Sequence, residues 1–120
     1  MKICLINPPD ISKMEEDHEY CYSSHNIPHI GLGYIASVLK ANGKHVDIIE
    51  CMGEQLSLQV LHKRLMSEDY DMVGISSYQY NIHNTAKIAA RIKAAKPNTF
   101  VFLGGYYATL SYEYLLSNLT

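Results

Sequence analysis

The chain has 120 residues, of which 48% are hydrophobic and 18% charged, proportions typical of one globular domain. Ten Lys and Arg residues against twelve Asp and Glu give a net charge of −2, which disfavours nucleic acid as a partner. No apolar run reaches the roughly 20 residues of a membrane-spanning helix, and the first residues do not resemble a signal peptide. The odd number and wide spacing of Cys4, Cys21 and Cys51 disfavour a disulfide framework or a metal clip and favour the reducing cytoplasm.

The first predicted elements are a buried strand and an amphipathic helix, separated by a long loop. The apolar run Lys2–Asn7 predicts the strand, which Pro8-Pro9 ends. About twenty mixed residues follow, and a loop of that length in a small domain usually belongs to a binding site or covers one. From Gly31 onward apolar residues recur at helical spacing until Asn42-Gly43, a signal that ends helices.

The rest of the chain continues to alternate between strands and helices. In chain order, the pattern predicts a strand His45–Glu50, a helix Ser57–Ser67, a strand Asp71–Ser76, a helix from Ile82 to near Pro97, a strand Thr99–Leu103, and a helix beginning near Ser111. Short apolar strands joined by helices require right-handed crossovers and a parallel sheet covered on both faces. The sequence therefore predicts a doubly wound, flavodoxin-like (Rossmann-like) α/β domain.

Three of the predicted strands are followed by short segments of unusual composition. Asn7-Pro8-Pro9 follows strand 1, Ser76-Ser77 follows strand 3, and Gly104-Gly105 follows strand 4. In a parallel sheet these ends lie along one edge, where ligands bind at the point of strand-order reversal. Paired glycines let a ligand approach the backbone, and serines offer compact donors and acceptors. Each feature also has a purely structural interpretation, as a strand stop, a helix cap or a tight turn.

Several nucleotide-binding classes are disfavoured by missing motifs. No GxGxxG follows strand 1, and no GxxxxGK(S/T) is present, which disfavours a dinucleotide fold and a P-loop. A phosphoacceptor receiver domain requires acidic residues where this chain has Asn7 and Ser76. No Ser-His-Asp or Cys-His pairing is supported by the spacing.

Four segments in register resemble a known family. KICLINPP, PHIGLGYIASVLKANGKHVDIIE, DMVGISSYQYN and FVFLGGYYAT look like the N-terminal cobalamin-binding domain of cobalamin-dependent radical S-adenosylmethionine enzymes. The resemblance implies a flavodoxin-like domain of strand order 2-1-3-4. It also implies that the domain holds cobalamin (vitamin B12) at the carboxyl edge of its sheet, with the nucleotide tail between strands 1 and 3 and the corrin above.

The resemblance also implies which residues bind the cofactor. Ser76 and Ser77 would line the pocket of the tail, and Gly104 and Gly105 would let the tail pass. Pro8, Pro9 and the segment Ile30–Gly33 would shape the corrin side. The full implied set is Asn7, Pro8, Pro9, Ile30, Gly31, Gly33, Ser76, Ser77, Gly104, Gly105 and Thr109.

At two places the sequence departs from the family pattern: the motif that would supply the cobalt ligand, and the residues after the glycine pair. The DxHxxG motif of the cobalamin-ligating methyltransferase branch is missing. His29 is the nearest candidate for a lower axial ligand of cobalt, but Ile27 stands where the Asp would orient it and Leu32 replaces the Gly. The alternative interpretation is that His29 is a loop histidine that binds no cobalt. Tyr106-Tyr107 stands where Pro-His or Pro-Glu is commoner, either lining the pocket or lying on the surface.

Two other family features are missing from the chain. It has no CxxxCxxC motif, so the 4Fe–4S cluster and S-adenosylmethionine are expected only in a C-terminal part of a longer protein. A fifth strand is also missing or supplied elsewhere, and without it strand 4 is an exposed edge. We therefore interpret residues 1–120 as a single domain and an N-terminal fragment of a radical S-adenosylmethionine protein.

The leading functional hypothesis is a cobalamin-binding module that is not catalytic alone. Its parent would be a methyltransferase, cyclase or related enzyme, and its partners would be cobalamin and the downstream radical domain. The alternative is a degenerate domain without cofactor that serves as an interaction or homodimerisation scaffold through Tyr78, Tyr80, Tyr106 and Tyr107. A site for a flavin or another nucleotide is a third hypothesis.

Overall fold

A computed structural model describes residues 1–9, 30–51, 54, 56–78 and 82–118. The elements within these ranges are β1 Lys2–Asn7, α1 Ile30–Ala41, β2 His45–Glu50, α2 Leu58–Met66, β3 Met72–Ser76, α3 Ile82–Ala95, β4 Phe100–Gly104 and α4 Tyr106–Asn118. The predicted loop after β1, His29 and Tyr80 lie outside the described residues. Within the described part of the chain, no helix combines the length and apolar character needed to cross a membrane.

The four strands form one parallel sheet in the order β2-β1-β3-β4. β1 is central, since Leu5 lies opposite Ile48 of β2 and Gly74 of β3. The chain reaches β2 on one side of β1 and then crosses to β3 on the other, so the strand order reverses between β1 and β3. This arrangement confirms the predicted doubly wound α/β class and the order 2-1-3-4.

The sheet separates the core into two layers, and helices pack on each of its faces. On one face, the apolar stripes of α2 and α3, which include Leu61 and Ile92, pack against strand residues such as Ile6 and Ile75. On the other face, Leu32 and Ala36 of α1 pack against Ile3, Leu5 and Val46. Because successive strand residues point to opposite faces, each strand contributes to both layers.

The boundaries of the elements follow local signals that the sequence carries. Ser57 caps α2 because its side chain accepts a hydrogen bond from the backbone N–H of Val60 at 3.2 Å. Gly43 ends α1 with a φ of 78°, a conformation that favours glycine. The last helix differs from the prediction, because α4 begins at Tyr106, five residues before Ser111. Ser111 is instead a kink, with φ −129° and ψ 25°.

Candidate functional site

A cleft of about 430 Å³ opens at the carboxyl end of the sheet, between α1 and the start of α4. It lies on the face of the sheet that α1 covers. We call it the rim cleft, and its lining consists of Leu5, Gly31, Leu32, Ile35, Gly74, Ile75, Ser76, Tyr78, Phe102, Gly104, Gly105, Tyr106 and Thr109. The position matches the switch point between β1 and β3, where doubly wound domains bind their ligands.

The lining of the rim cleft is aliphatic and aromatic, with a few polar groups. Its described side chains are apolar or tyrosine, except for the hydroxyls of Ser76 and Thr109. The volume falls in the range of roughly 300–1,000 Å³ that is usual for small-molecule sites. Such a surface suits an uncharged planar group better than an isolated anion, because apolar walls reward the burial of apolar area.

The floor of the cleft depends on a glycine in the middle of β3. A Cβ atom at Gly74 would lie 2.4 Å from Cζ of Phe102 and 3.0 Å from Cδ2 of Leu5. The aromatic ring of Phe102 therefore lies across the backbone of β3 at the point where Gly74 has no side chain. This packing gives the cleft a flat aromatic floor.

The two glycines at the end of β4 have different roles. Gly105 has a φ of +90°, and a Cβ there would lie 2.6 Å from the carbonyl oxygen of Ser77. Gly105 is therefore required by the backbone turn itself. Gly104 lies outside the left-handed region, and a Cβ there would meet nothing within 4 Å. Gly104 thus borders open space in the rim cleft and leaves it accessible.

Ser77 joins the ends of β3 and β4 to the first turn of α4. Its backbone N–H and its hydroxyl both donate to the carbonyl oxygen of Gly104, at 2.8 and 2.7 Å. Its hydroxyl accepts from the backbone N–H of Ala108 at 3.2 Å, and its carbonyl oxygen accepts from that of Tyr107 at 3.2 Å. Ser77 is fully buried, so these bonds hold the rim in one geometry.

Two tyrosines stand together in the lining of the rim cleft. The ring centroids of Tyr78 and Tyr106 are 5.9 Å apart and their planes are tilted by 59°. This geometry is within the favourable range for aromatic pairs. Tyr106 is 73% exposed, whereas Tyr107 is half-buried and lies outside the lining.

The structure brings five of the eleven predicted cofactor-binding residues together in the rim cleft: Gly31, Ser76, Gly104, Gly105 and Thr109. The remaining six lie outside its lining: Asn7, Pro8, Pro9, Ile30, Gly33 and Ser77. Their contacts with cobalamin stay predictions, as does the cobalt-ligand role of His29, which lies outside the described residues.

The residues outside the lining have identifiable structural surroundings. Nδ2 of Asn7 donates to Oε2 of Glu50 at 2.8 Å, which ties the ends of β1 and β2 together. Pro8 and Pro9 are buried, and the carbonyl oxygen of Pro9 accepts from Nδ2 of Asn84 in α3 at 3.0 Å. The Pro-Pro segment is thus fastened to α3.

The predicted site residues did not include Gly74, Ile35 or Phe102, which line the cleft. Tyr78 also lines it and was predicted only as part of the interaction surface of the scaffold alternative. Strand alternation contained part of the signal, since Gly74 shares a face with Ser76, and Phe102 shares one with Gly104. Helical spacing contained another part, because Ile35 follows Gly31 by one turn. The contact between Tyr78 and Tyr106 joins segments far apart in the sequence and has no local signal.

The shifted pKa values of the described residues belong to groups away from the rim cleft. Burial raises the pKa of the Cys4 thiol to about 12 and also raises that of Cys51. Near the amino ends of the strands, the hydroxyl of Tyr70 donates to Oδ2 of Asp47 at 2.7 Å and lowers the pKa of that carboxyl. The described residues contain no cluster of three or more His, Cys, Asp or Glu side chains suited to a metal ion.

The parallel sheet and its switch-point cleft define a doubly wound α/β domain, a class whose members bind ligands at the carboxyl edge of the sheet. Comparison with known proteins narrows this class, because residues 23–119 match the family described as the B12 binding domain. The chain belongs to this family. Cobalamin is accordingly the cofactor of the domain.

A curated relative extends the comparison to a longer protein. The chain is 33% identical over 116 residues to a protein of Pyrococcus horikoshii named "Uncharacterized methyltransferase PH0819". This match covers 94% of the chain but 23% of the relative, so the chain spans about a quarter of the relative's length. No solved structure matches the chain.

Proposed function

We propose that the rim cleft holds the nucleotide tail of cobalamin and that the corrin lies above the carboxyl edge of the sheet. The observation that carries this proposal is the open space at Gly104, in a cleft with apolar walls at the switch point. A planar aromatic base suits such walls, and Ser76 and Thr109 place hydroxyl groups in the same lining.

The residues of the cleft fit this group for reasons of space as well as chemistry. Gly104 and Gly31 expose backbone to the cleft, so an attached ribose and phosphate can approach closely there. Ser77 and Gly105 fix the rim behind them and keep the opening in place when no ligand is bound. Such preorganisation lowers the entropic cost of binding.

We further propose that the domain serves a larger radical S-adenosylmethionine enzyme that transfers methyl groups. Bound cobalamin supplies a cobalt centre that can carry a methyl group. The ordered motifs support the link to radical enzymes, and the name and length of the Pyrococcus relative support a multidomain methyltransferase. In this proposal a separate domain holds the 4Fe–4S cluster, and the present domain positions the corrinoid.

The binding proposal is tested with a valine at Gly104. The purified chain and its Gly104→Val variant are mixed with hydroxocobalamin, and corrin absorbance is followed through a desalting column and in an equilibrium titration. We expect wild type to retain corrin and Gly104→Val to bind at least about ten-fold more weakly, because the added side chain fills the cleft. The unfolding free energy should be nearly unchanged, since no atom other than those of the adjacent residues in the chain lies within 4 Å of the new Cβ.

The matched control is Ala94→Val, which adds bulk to the exposed surface of α3 and should bind like wild type. Equal binding by Gly104→Val and wild type would contradict the assignment of the cleft. A wild-type chain that retains no corrin but forms dimers in light scattering would favour the scaffold alternative. For the larger enzyme, anaerobically prepared full-length protein should show a 4Fe–4S electron paramagnetic resonance signal and cleave S-adenosylmethionine. Absence of both would contradict the radical assignment.

A further inference from the structure

The tyrosine pair Tyr78 and Tyr106 lies in the same rim cleft as Gly104. Tyr78 and Tyr106 lie on segments 28 positions apart, yet their ring centroids are 5.9 Å apart. Tyr106 is the first residue of α4 and remains 73% exposed. The ring therefore keeps apolar area in water that a ligand in the cleft could cover.

The backbone under both tyrosines is held firmly. Tyr78 follows Ser77, whose hydrogen bonds tie β3 to Gly104 and to the first turn of α4. Tyr106 follows Gly105, whose φ of +90° sets the direction of the chain into α4. The next amides, of Tyr107 and Ala108, donate to Ser77. Hydrogen bonds and the Gly105 turn therefore fix the backbone that carries both tyrosines, as in a preorganised contact surface.

The chemistry of the pair suits a flat aromatic ligand group. Phe102 forms an aromatic floor above Gly74, and Tyr78 and Tyr106 add two more rings to the same lining. Stacking between an aromatic side chain and a nucleotide base is worth enough to change affinity by about ten-fold or more. Tyrosine also loses little conformational entropy when it is immobilised, since it has two side-chain torsions.

We propose that Tyr106, positioned by Tyr78, packs against the nucleotide tail of the corrinoid and makes the cleft select corrinoids that carry an aromatic base. This inference rests on the proposed function, because it assigns a specificity-determining residue to the same site. Tyr106 contributes ring contact, and its hydroxyl is not needed. Tyr78 holds the ring of Tyr106 at the cleft and thereby acts as a positioning residue.

The test compares cobalamin with cobinamide, a corrinoid that lacks the nucleotide tail. Dissociation constants for both are measured by absorbance titration for wild type, Tyr106→Leu, Tyr106→Phe and Tyr78→Leu. We expect Tyr106→Leu to weaken cobalamin binding about ten-fold and cobinamide binding less than about two-fold. Tyr106→Phe should stay within about two-fold of wild type for both ligands, because the ring is kept. Tyr78→Leu should show an intermediate loss confined to cobalamin.

Tyr112→Leu is the matched control, because it changes an exposed tyrosine of the same helix that lines a different groove, beside α3 and β4. It should bind both corrinoids like wild type. Circular dichroism of each variant confirms that the fold is retained, which the exposure of Tyr106 leads us to expect.

The outcomes separate this inference from the proposed function. If wild type binds cobalamin and Tyr106→Leu binds it equally well, the role of Tyr106 is wrong and the cleft assignment stands. The role is also wrong if Tyr106→Leu loses cobalamin and cobinamide to the same extent, or if Tyr106→Phe loses as much as Tyr106→Leu. If wild type binds neither corrinoid, the proposed function fails, and this inference fails with it.

Discussion

The two ends of the parallel sheet are held together by different kinds of interaction. At the carboxyl end, Ser77 makes uncharged hydrogen bonds to the backbone of β4 and α4, and Gly105 allows the turn between them. At the amino end, side chains carry the contacts: Lys2 pairs with Glu68, Lys96 Nζ lies 3.0 Å from Asp69 Oδ1, and Tyr70 donates to Asp47. The contacts at the rim of β3 and β4 are uncharged, whereas ion pairs contribute at the amino end.

This difference explains why a ligand site can lie at one end. Uncharged bonds within the backbone fix the rim while leaving its cleft lined by apolar groups, so a neutral planar group enters without displacing ion pairs. The amino end has side chains that reach across the strand ends and satisfy each other. Substitutions at the rim should therefore act through sterics and be insensitive to pH, whereas those at the amino end should respond to pH.

The largest effect is expected at Gly105. Alanine there must adopt a positive φ and place its Cβ about 2.6 Å from the carbonyl oxygen of Ser77. We expect Gly105→Ala to lower the free energy of unfolding by about 2–4 kcal/mol, measured by urea denaturation. The loss should be the same at pH 5 and pH 8 because no titratable group is involved.

Gly104→Ala is the matched control for this prediction. It adds the same methyl group one residue earlier, where nothing lies within 4 Å and the backbone is not left-handed. Its unfolding free energy should stay within about 0.5 kcal/mol of wild type. Equal losses in the two variants would mean that the turn does not distinguish the glycines as described.

A smaller effect is expected at Ser77. Ser77→Ala removes the hydroxyl that donates to Gly104 and accepts from Ala108, and it leaves the amide of Ala108 without that acceptor. We expect a loss of about 1–2 kcal/mol, the usual cost of removing a helix cap. Ser117→Ala is the control, since the Ser117 hydroxyl donates to the carbonyl of Glu113 on an exposed helix surface. A loss at Ser117 as large as that at Ser77 would contradict the role of Ser77 as a cap.

The fold was largely predictable from the sequence, because each element carries a local signal. The strand His45–Glu50 and the end of α1 at Asn42-Gly43 were predicted correctly from apolar period and turn residues. The rule that crossovers are right-handed reduced the number of possible topologies, and the order 2-1-3-4 was what the resemblance to cobalamin-binding domains implied. The predicted start of α4 near Ser111 was wrong. The helix begins at Tyr106, where the hydroxyl that caps it comes from Ser77, nearly thirty residues earlier in the chain.

The rim cleft was predictable in position but not in detail. The strand ends indicated where a site would lie, and five predicted residues meet there. The fit of Phe102 over Gly74 and the contact of Tyr78 with Tyr106 depend on side chains from separate segments, which no local pattern specifies. Ser77 lies outside the lining, where its hydrogen bonds support the rim, and its predicted contact with the nucleotide tail stays a prediction.

The smallest effect is expected at the amino end and depends on pH. The hydroxyl of Tyr70 is the largest cause of the low pKa of Asp47, with His45 adding to it. Because the pKa of Asp47 is lower in the folded protein than its ordinary 3.8, the carboxylate stabilises the fold above that value, and its contribution is lost as the pH falls through the folded pKa. Tyr70→Phe should thus cost about 1 kcal/mol at pH 7, since Asp47 is partly exposed and screened by solvent.

The difference between Tyr70→Phe and wild type should shrink as the pH is lowered from 7 to 2.5, because protonation of the carboxylate progressively removes the charged acceptor. Tyr112→Phe is the control, because its hydroxyl lies on the surface, 3.4 Å from Glu113. It should match wild type at both values of pH. A difference for Tyr70→Phe that stays constant between pH 7 and pH 2.5 would mean that the hydroxyl contributes through packing. The contrast between the amino end, where charge contributes to stability, and the uncharged rim of β3 and β4 would then not hold.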